Sequence, residues 1–491
     1  MVRPDGVGGG EVEGMDSRRV VAWRVAFPLA CLAVVLGLCA CGGGGDEGEE
    51  TQGTATPSDA TPSVATPSGE TVEISLWHSE TASNLDSLQR LARRFNDSQS
   101  EVKVKLAFQG TSDENMAKVL ASLRGGDLPT IAYLDEAQAQ RLIDSGGFHP
   151  LQDFIDREGY DLSDFDPKTI QYYTIDGELW AMPISISVPA LYYNKIAFRE
   201  VGLDPEKPPK DLEELKEISR KFVKRDSHGN LMRTGMALEI HPWYLEVALA
   251  EHGDLYLNNA NGHEGRATGV EFNGPTGQAF FQWWHDMVKE SLAMDVGLAQ
   301  VSPDAFLAVG AGQAVMTRSS TSVLRSVVDA LEGGLAGAPV EFGLAASPGV
   351  AGGTGYTAVY TRGLWIPKDL SEAEQEAGWK FIKWLMEPEQ QAEWFAGSGY
   401  LPVRNSSYDL PAAQEIMAKY PQFRTGVEIF QSSPVTPATL GPLLGPFNEV
   451  RQAVLRQLQE TIVADKDPVE ALNDAAEEAN QIIEEYNRRV E

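Results

Sequence analysis

Strands and amphipathic helices alternate from Val72 onward, and this order limits the available folds more than any other feature of the chain. Residues 72–77 and 102–108 alternate apolar and polar side chains, as half-buried strands do. Between them, residues 85–95 place their apolar side chains on one helical face, and 130–134 form a further short apolar run. Strands that alternate with helices predict an α/β fold with mainly parallel sheets. In such sheets, ligands bind beyond the carboxyl ends of the strands.

Later segments continue this pattern. Residues 190–194 are predicted to form a strand and residues 211–222 a helix. Two long helices close the chain, one over 447–462 and one that begins at Asp467-Pro468-Val469-Glu470. Asp at the cap, Pro at the first position and Glu at the third are typical of a helix start.

The three cysteines lie at positions 31, 39 and 41, and none follows. The sequence therefore excludes an intrachain disulfide, a cysteine-based zinc site and a cysteine nucleophile from the region after Cys41.

The cysteines belong to a segment with the features of an export signal. Three arginines precede an apolar stretch over 25–38, which is shorter than a typical membrane-spanning helix. The sequence Leu38-Cys39-Ala40-Cys41 resembles the bacterial lipoprotein signal, whose cysteine is diacylated and becomes the first mature residue. We therefore expect residues 1–40 to be a signal peptide and Cys41 to carry the lipid. The alternative is an uncleaved N-terminal anchor, and Met15 is an alternative start.

Residues 41–71 combine a Gly-rich acidic run with three Ala-Thr-Pro-Ser repeats. With almost no apolar side chains to bury, this linker is predicted to be disordered and to span on the order of 30 Å as a coil. The sequence thus predicts a folded body tethered at the cell membrane, outside the cytoplasm.

The formal net charge is −31, from 40 Lys+Arg and 71 Asp+Glu residues. A surface that binds nucleic acid needs an excess of Lys and Arg, so no nucleic-acid partner is expected. The same excess of acid disfavours an anionic membrane surface, which leaves the lipid anchor as the only expected contact with the membrane.

No motif indicates catalysis. The seven histidines do not form His-Glu-x-x-His, and neither a Gly-Lys pair nor Gly-x-Ser-x-Gly occurs. The pair Asp135-Glu136 suits a glycosidase by residue type, but adjacent carboxylates on a strand are expected to point to opposite faces. We therefore expect neither an enzyme nor a metal or other cofactor.

Four motifs in order resemble the family 1 extracellular solute-binding proteins of ABC importers. They are Leu76-Trp77-His78-Ser79, Leu191-Tyr192-Tyr193-Asn194-Lys195, Gly202-Leu203-Asp204-Pro205 and Gly399-Tyr400-Leu401-Pro402-Val403. Within the family the likeness is greatest to glycerol-3-phosphate-binding members, with maltose-type and other sugar-binding members behind. The resemblance implies a type II periplasmic-binding-protein fold of two α/β lobes, each with a mainly parallel sheet flanked by helices, and one ligand in the cleft between them.

The same resemblance implies where the lobes divide. Lobe 1 is expected over 72–186 and 362–402, and lobe 2 over 187–358 and 408–491. The strands that cross between the lobes are expected near 183–189 and 356–363.

Family cleft positions match several residues, for which the resemblance implies ligand binding: Glu136, Ser187 or with a small shift Ser185, Trp243, Ser320, Tyr400 and Arg451, with His78 and Tyr360 beside them. A carboxylate can accept two hydroxyl hydrogen bonds, and the arginine fork suits phosphate or vicinal hydroxyls. Trp77, Trp243, Tyr360 and Trp365 offer aromatic faces for a sugar.

Two departures separate the chain from the glycerol-phosphate pattern. Ser112 stands where those proteins have a tyrosine, and Tyr360 and Thr361 stand where they have a glycine before the Leu-Trp of the second crossing. A sugar is therefore expected as ligand almost as strongly as glycerol 3-phosphate or another glycerophospho compound. The net negative charge of the chain also disfavours an anionic ligand.

The leading functional hypothesis is a monomeric, lipid-anchored receptor that delivers its ligand to the transmembrane subunits of an ABC permease. The alternatives are a cell-surface carbohydrate-active hydrolase and, less favoured, a structural or adhesive lipoprotein.

Overall fold

The computed structural model describes residues 71–297, 303–332, 337 and 339–490. The predicted signal peptide, the lipidated Cys41 and nearly all of the linker lie outside the described residues. No helix in the described ranges is both long and apolar enough to cross a membrane.

The strands follow the predicted alternation. In chain order they are β1 Val72–His78, β2 Val102–Phe108, β3 Ile131–Asp135, β4 Thr174–Ile175, β5 Glu178–Leu179, β6 Met182–Ser187, β7 Pro189–Asn194, β8 Lys224–Arg225, β9 Leu231–Arg233, β10 Met236–Leu238, β11 Ala293–Asp295, β12 Met316–Ser320, β13 Phe342–Ala346 and β14 Tyr360–Trp365.

The helices fill the intervals. In chain order they are α1 Ala82–Ser98, α2 Ser112–Gly125, α3 Ala139–Asp144, α4 Gln152–Glu158, α5 Pro167–Tyr173, α6 Lys195–Glu200, α7 Leu212–Phe222, α8 Trp243–His252, α9 Asn258–Asn261, α10 Pro275–Lys289, α11 Pro303–Gly310, α12 Leu324–Glu332, α13 Glu372–Leu385, α14 Pro388–Ser398, α15 Pro411–Lys419, α16 Pro421–Ser432, α17 Pro437–Leu440, α18 Phe447–Val463 and α19 Pro468–Val490. Short 3₁₀ turns occur at Glu136–Gln138, Thr321–Val323 and Asn405–Asp409.

Two five-stranded sheets organise the fold. In the first sheet the order is β2-β1-β3-β14-β6, with β1 parallel to β2 and β3, and β14 antiparallel to β3 and β6. In the second it is β11-β10-β12-β7-β13, with β10 parallel to β11 and β12, and β7 antiparallel to β12 and β13. The predicted α/β class is confirmed, with antiparallel strands where the chain changes sheets.

The chain passes between the sheets beside the candidate site. Strand β6 of the first sheet ends at Ser187, and β7 of the second begins at Pro189. The Val188 carbonyl accepts from the Thr321 backbone N–H at 3.0 Å, and the Val188 N–H donates to the Thr321 hydroxyl at 3.2 Å. The chain returns from β13 to β14, so residues at both passages lie between the sheets.

Large buried side chains fill the space around each sheet. Trp365, Trp379 and Trp394 are buried around the first sheet, and Phe198 and Trp284 around the second. Helices α18 and α19 pack on each other and on α10 near the second sheet, whereas α15 packs on α14 and α16 packs on β13.

The last helix begins as its sequence indicates. The Asp467 carboxylate accepts from the backbone N–H groups of Val469 and Glu470, both at 3.0 Å. Leu472 and Ile483 of this helix are buried, whereas Val469 in its first turn is 38% exposed.

Polar contacts also join segments that lie far apart in the sequence. Asp144 of α3 accepts from Arg266 and from the Tyr486 hydroxyl at 2.9 Å. The Ser83 hydroxyl of α1 donates to Asp329 of α12 at 2.9 Å.

Candidate ligand-binding site

A polar cavity of about 100 Å³ lies between the two sheets. Seven of the eight residues predicted to bind ligand line it together: Glu136, Ser187, Trp243, Ser320, Tyr360, Tyr400 and Arg451. The remaining lining residues are Asp135, Ser322, Thr361 and Arg362. The cavity therefore brings together side chains that are distant in sequence, from β3, β6, β12, β14, α8 and α18.

Asp135 and Glu136 both face this cavity, so the expectation that they point to opposite faces is wrong. Asp135 is the last residue of β3, and Glu136 opens a 3₁₀ turn. The two-residue alternation of a strand therefore ends between them. The Tyr172 hydroxyl lies 3.0 Å from the Glu136 carbonyl and 3.0 Å from that of Pro442, and it ties this turn to the loop before α18.

Of the two candidate serines on β6, only Ser187 lines the cavity. Ser185 is fully buried, 2.7 Å from the Tyr133 hydroxyl, and it accepts from the Trp394 indole N–H at 3.1 Å. Its hydroxyl group is therefore used inside the core of the first sheet. On the opposite side, the hydroxyls of Ser320 and Ser322 lie 2.5 Å apart.

Aromatic rings form part of the cavity wall. Trp243 and Tyr360 meet edge to face with ring centroids 5.0 Å apart, and Tyr400 stacks on Trp394 at 5.8 Å. The hydroxyls of Tyr360 and Thr361 are buried and have no hydrogen-bond partner among the described residues. Buried hydroxyls are normally paired, so these two are candidates to bond a ligand.

Arg451 does not enter the cavity as an isolated cation. Its Nε and Nη2 atoms each donate to a carboxylate oxygen of Glu246 at 2.7 Å. The Glu246 side chain is only 1% exposed, and the guanidinium lies over the Phe447 ring at 4.3 Å. This two-point pair fixes the plane of the guanidinium and leaves Nη1 as the nitrogen that Glu246 does not use.

Arg362 is paired in a similar way. It contacts the carboxylates of Glu80 and Asp135, and its guanidinium lies 5.9 Å from the Tyr400 ring. Ser112, which replaces the tyrosine of the glycerol-phosphate pattern, donates its hydroxyl to Asp135. The substitution therefore builds a side-chain network at the edge of the cavity instead of supplying a phenol.

His78 does not line the cavity. It is buried, and its Nδ1 accepts from the Glu80 backbone N–H at 3.2 Å. Burial lowers its pKa, which favours the neutral ring that this contact requires. The structure therefore uses the His78 ring to bond the backbone of Glu80, the residue whose carboxylate contacts Arg362.

Two of the predicted aromatic faces also lie elsewhere. Trp365 is fully buried against Phe148 and Tyr173 in the first sheet's core, and Trp77 packs against the same core. Their positions on β1 and β14 direct them away from the cavity.

Burial and the neighbouring Asp135 carboxylate raise the pKa of Glu136 to about 8, although Arg451 acts in the opposite direction. Burial also raises the pKa of Glu251, in the last turn of α8, to about 8. Both groups hold a proton in the folded protein at pH values where the unfolded chain has lost it. Their contribution to stability is therefore complete below the usual carboxyl pKa near 4.5 and is lost as the pH rises toward 8.

We accordingly expect these two groups to lower the free energy of unfolding between pH 5 and pH 8, by up to about 1.4 kcal/mol per pH unit each. Glu136→Gln should flatten this decline, and adding Glu251→Gln should flatten it further. Urea unfolding at several pH values measures the slope. An unchanged slope in Glu136→Gln would show that its carboxyl group does not titrate in this window.

A larger apolar cavity of about 430 Å³ adjoins the polar one, and Ser322 lines both. Its walls include Tyr192 of β7, Phe306 of α11, Val327 of α12 and Ala82 at the start of α1. A ligand that extends past Ser322 therefore meets apolar side chains.

Glu246, Glu80 and Arg362 were not predicted to belong to the site. Glu246 lies three residues after Trp243, within the apolar run 243–250 of α8, and an acidic side chain there was the available signal. Within the described residues, no group of three His, Cys, Asp or Glu side chains is arranged to hold a metal ion.

The fold and this cavity define a binding protein of the two-lobed periplasmic type. Residues 90–425 match the family of bacterial extracellular solute-binding proteins, and the chain belongs to that family. The family acts outside the cytoplasm, as the sequence analysis predicted.

Individual relatives agree with this assignment. The chain is 28% identical over 424 residues to the sn-glycerol-3-phosphate-binding periplasmic protein UgpB of Escherichia coli K12, covering 84% of this chain and 93% of the relative.

Solved structures show the same type II fold. UgpB from Mycobacterium tuberculosis, in complex with glycerophosphocholine, superposes with a TM-score of 0.71 at 21% identity, covering 85% of this chain and 99% of that one. The cyclic alpha-maltosyl-1,6-maltose binding protein of Arthrobacter globiformis gives 0.67 at 24% identity, covering 84% and 99%. The predicted fold class is confirmed.

Proposed function

We propose that this protein is the lipid-anchored receptor of an ABC importer and captures a carbohydrate or a glycerol-3-phosphate-like polyol. The ligand binds between the two sheets and is released unaltered to the transmembrane subunits of a permease. Cys41 anchors the receptor at the membrane, and residues 41–71 form a linker that lets the folded body move away from the membrane surface.

One observation carries the proposal: hydroxyl, carboxyl, guanidinium and aromatic groups from both sheets line a single cavity. Carboxylates and guanidinium groups bond hydroxyls directionally, and aromatic faces cover the apolar side of a polyol. Because the lining comes from both halves, a bound ligand contacts both of them and favours the arrangement in which they are closed.

Relatives support the choice of ligand class without deciding it. The E. coli relative is named for binding glycerol 3-phosphate, and the structural neighbours were solved with glycerophosphocholine or named for a cyclic maltose derivative. All three ligands are rich in hydroxyl or ether oxygens, and the polar side chains that line this cavity can form hydrogen bonds with such oxygens.

A thermal-shift panel tests the proposal on the full chain. It contains maltose, trehalose, longer oligosaccharides, glycerol 3-phosphate and glycerophosphodiesters. A true ligand at 100 times its dissociation constant adds about 2.7 kcal/mol of stability, so a clear rise in melting temperature is expected for at least one compound. Stabilisation by none of them would contradict the proposed ligand class.

The hydrolase alternative makes a different prediction. A receptor returns its ligand unchanged, whereas a glycosidase forms a product, and replacing one carboxylate such as Glu136 would abolish its formation. Membership of a solute-binding family favours the receptor. Chromatography of the incubated ligand distinguishes the two.

A further inference from the structure

The polar cavity is small for a ligand-binding site by itself. Its volume is about 100 Å³, whereas cavities that bind small molecules usually have volumes of about 300–1,000 Å³. The apolar cavity beside it has a volume of about 430 Å³, which falls within that range. Because Ser322 lines both cavities, a ligand that fills the polar one has the apolar one as its nearest space for extension.

The walls of the apolar cavity contain apolar side chains that the fold leaves partly uncovered. Phe306, Val323, Val327 and Phe342 line it and are only partly buried, and Leu307 beside them is 53% exposed. Apolar side chains grouped in this way on a soluble protein are typical of a ligand groove or an interaction site. Since these side chains surround a cavity next to the polar one, we expect an apolar part of the same ligand to cover them.

Asn84 of α1 adds an unpaired polar atom to this region. It lines the apolar cavity, and its Nδ2 donates to the Ser322 carbonyl at 3.3 Å. A carbonyl oxygen only accepts, so this contact fixes the orientation of the amide. The other end of the amide, Oδ1, is buried and has no hydrogen-bond partner among the described residues. Buried acceptors are normally paired, so Asn84 leaves an acceptor for a ligand that passes Ser322.

We infer that the ligand of this protein is amphiphilic: a hydroxyl-bearing head binds in the polar cavity, and an apolar substituent such as a short alkyl chain extends past Ser322 into the apolar cavity. The inference rests on the proposed function and deepens it, because it names the chemical class of the ligand. The head is a sugar or a glycerophospho group, and the test has an arm for each.

The test titrates the full chain, by calorimetry below micelle-forming concentrations, with methyl and hexyl β-glucoside and with the methyl and hexyl esters of glycerol 3-phosphate. Each pair keeps its head and differs only in the length of the alkyl chain. In at least one pair the hexyl compound should bind at least about tenfold more tightly than the methyl compound, with a more negative heat-capacity change, because it buries more apolar surface. A gain confined to the glucosides assigns a sugar head, and a gain confined to the esters assigns a glycerophospho head.

Two variants test where the alkyl chain binds. Ala330 of α12 lines the apolar cavity but not the polar one, so Ala330→Phe places a phenyl ring in the space of the substituent. The advantage of the hexyl compound should then fall below about threefold. Val327→Asp puts a charge in the same wall and should lower the advantage as well. Val463→Asp is the matched control: Val463 is 80% exposed on α18 and lines neither cavity, so the full advantage should remain.

Equal or weaker binding of both hexyl compounds to the wild type would overturn the inference and leave another protein chain as the occupant of these walls; this comparison needs no variant. A hexyl advantage that persists in a folded Ala330→Phe protein would overturn it as well, because the alkyl chain would then bind elsewhere. Failure of the proposed function looks different: neither the methyl compounds nor any compound of the thermal-shift panel would bind the wild type.

Discussion

Arg451→Met should reduce the free energy of unfolding by about 3–5 kcal/mol at pH 8, because it leaves Glu246 as an uncompensated charge in the interior. Glu246 loses both of its 2.7 Å contacts in this variant. The same change should remove ligand binding, since Arg451 lines the cavity. Urea unfolding and calorimetry measure the two effects.

The pH dependence separates this cause from simple loss of packing. Burial raises the pKa of Glu246, and without Arg451 nothing on α18 opposes it. A raised folded-state pKa gives stability at low pH that is lost as the pH rises. The deficit of Arg451→Met should therefore be much smaller at pH 5 than at pH 8.

Two further variants control the experiment. Arg456→Met removes a half-exposed arginine from the same helix, whose pair with Glu478 is worth less than about 1 kcal/mol. The double variant Arg451→Met/Glu246→Leu replaces the pair by apolar side chains and should recover most of the lost stability. A double variant as unstable as Arg451→Met would show that the unpaired charge is not the cause.

Arg362→Met should have an effect of similar size, about 3–5 kcal/mol, because Arg362 separates two carboxylates at the cavity edge. Glu80 is 3% exposed and Asp135 is 23% exposed, so removing the cation leaves the more deeply buried Glu80 unpaired. Chemical unfolding of the wild type and the variant measures the loss.

Glu80→Gln in the Arg362→Met background should restore part of this stability, since it removes the buried negative charge. Arg94→Met is the control, because Arg94 and its partner Glu393 are both more than 40% exposed and contribute little. If Arg94→Met and Arg362→Met cost the same, the burial of the Glu80 contact does not matter.

Much of the fold was predictable because its signal is local. The alternation over residues 102–108 identified β2 at its observed bounds, and the Asp467-Pro468 start identified α19. Each of these depends on periodicity or capping within one segment.

The candidate site was predictable only where a motif carried it. Glu136, Trp243 and Arg451 were found through family resemblance, and the structure brings them to one cavity. Glu246 and Arg362 were missed because their importance lies in partners on other elements: Glu246 meets Arg451 from 205 residues away. A pattern within one segment of the sequence does not indicate a pair between distant segments.

For His78 and for the Asp135-Glu136 pair, the structure differs from the expectation drawn from the sequence. His78 matched a motif, but the fold uses its ring to bond the Glu80 backbone. Asp135 and Glu136 were judged as strand residues, but the strand ends between them. One residue at an element boundary changes which side chains share a cavity.

Calorimetric titration of the full chain with the most stabilising panel compound, followed by chromatography of that compound, tests the receptor function most directly. We expect one molecule bound per chain, at least about a hundredfold weaker binding in Trp243→Ala and Arg451→Met, and complete recovery of the unaltered compound. Binding that survives both substitutions, or conversion of the compound into a product, would contradict a receptor that captures its ligand in this cavity.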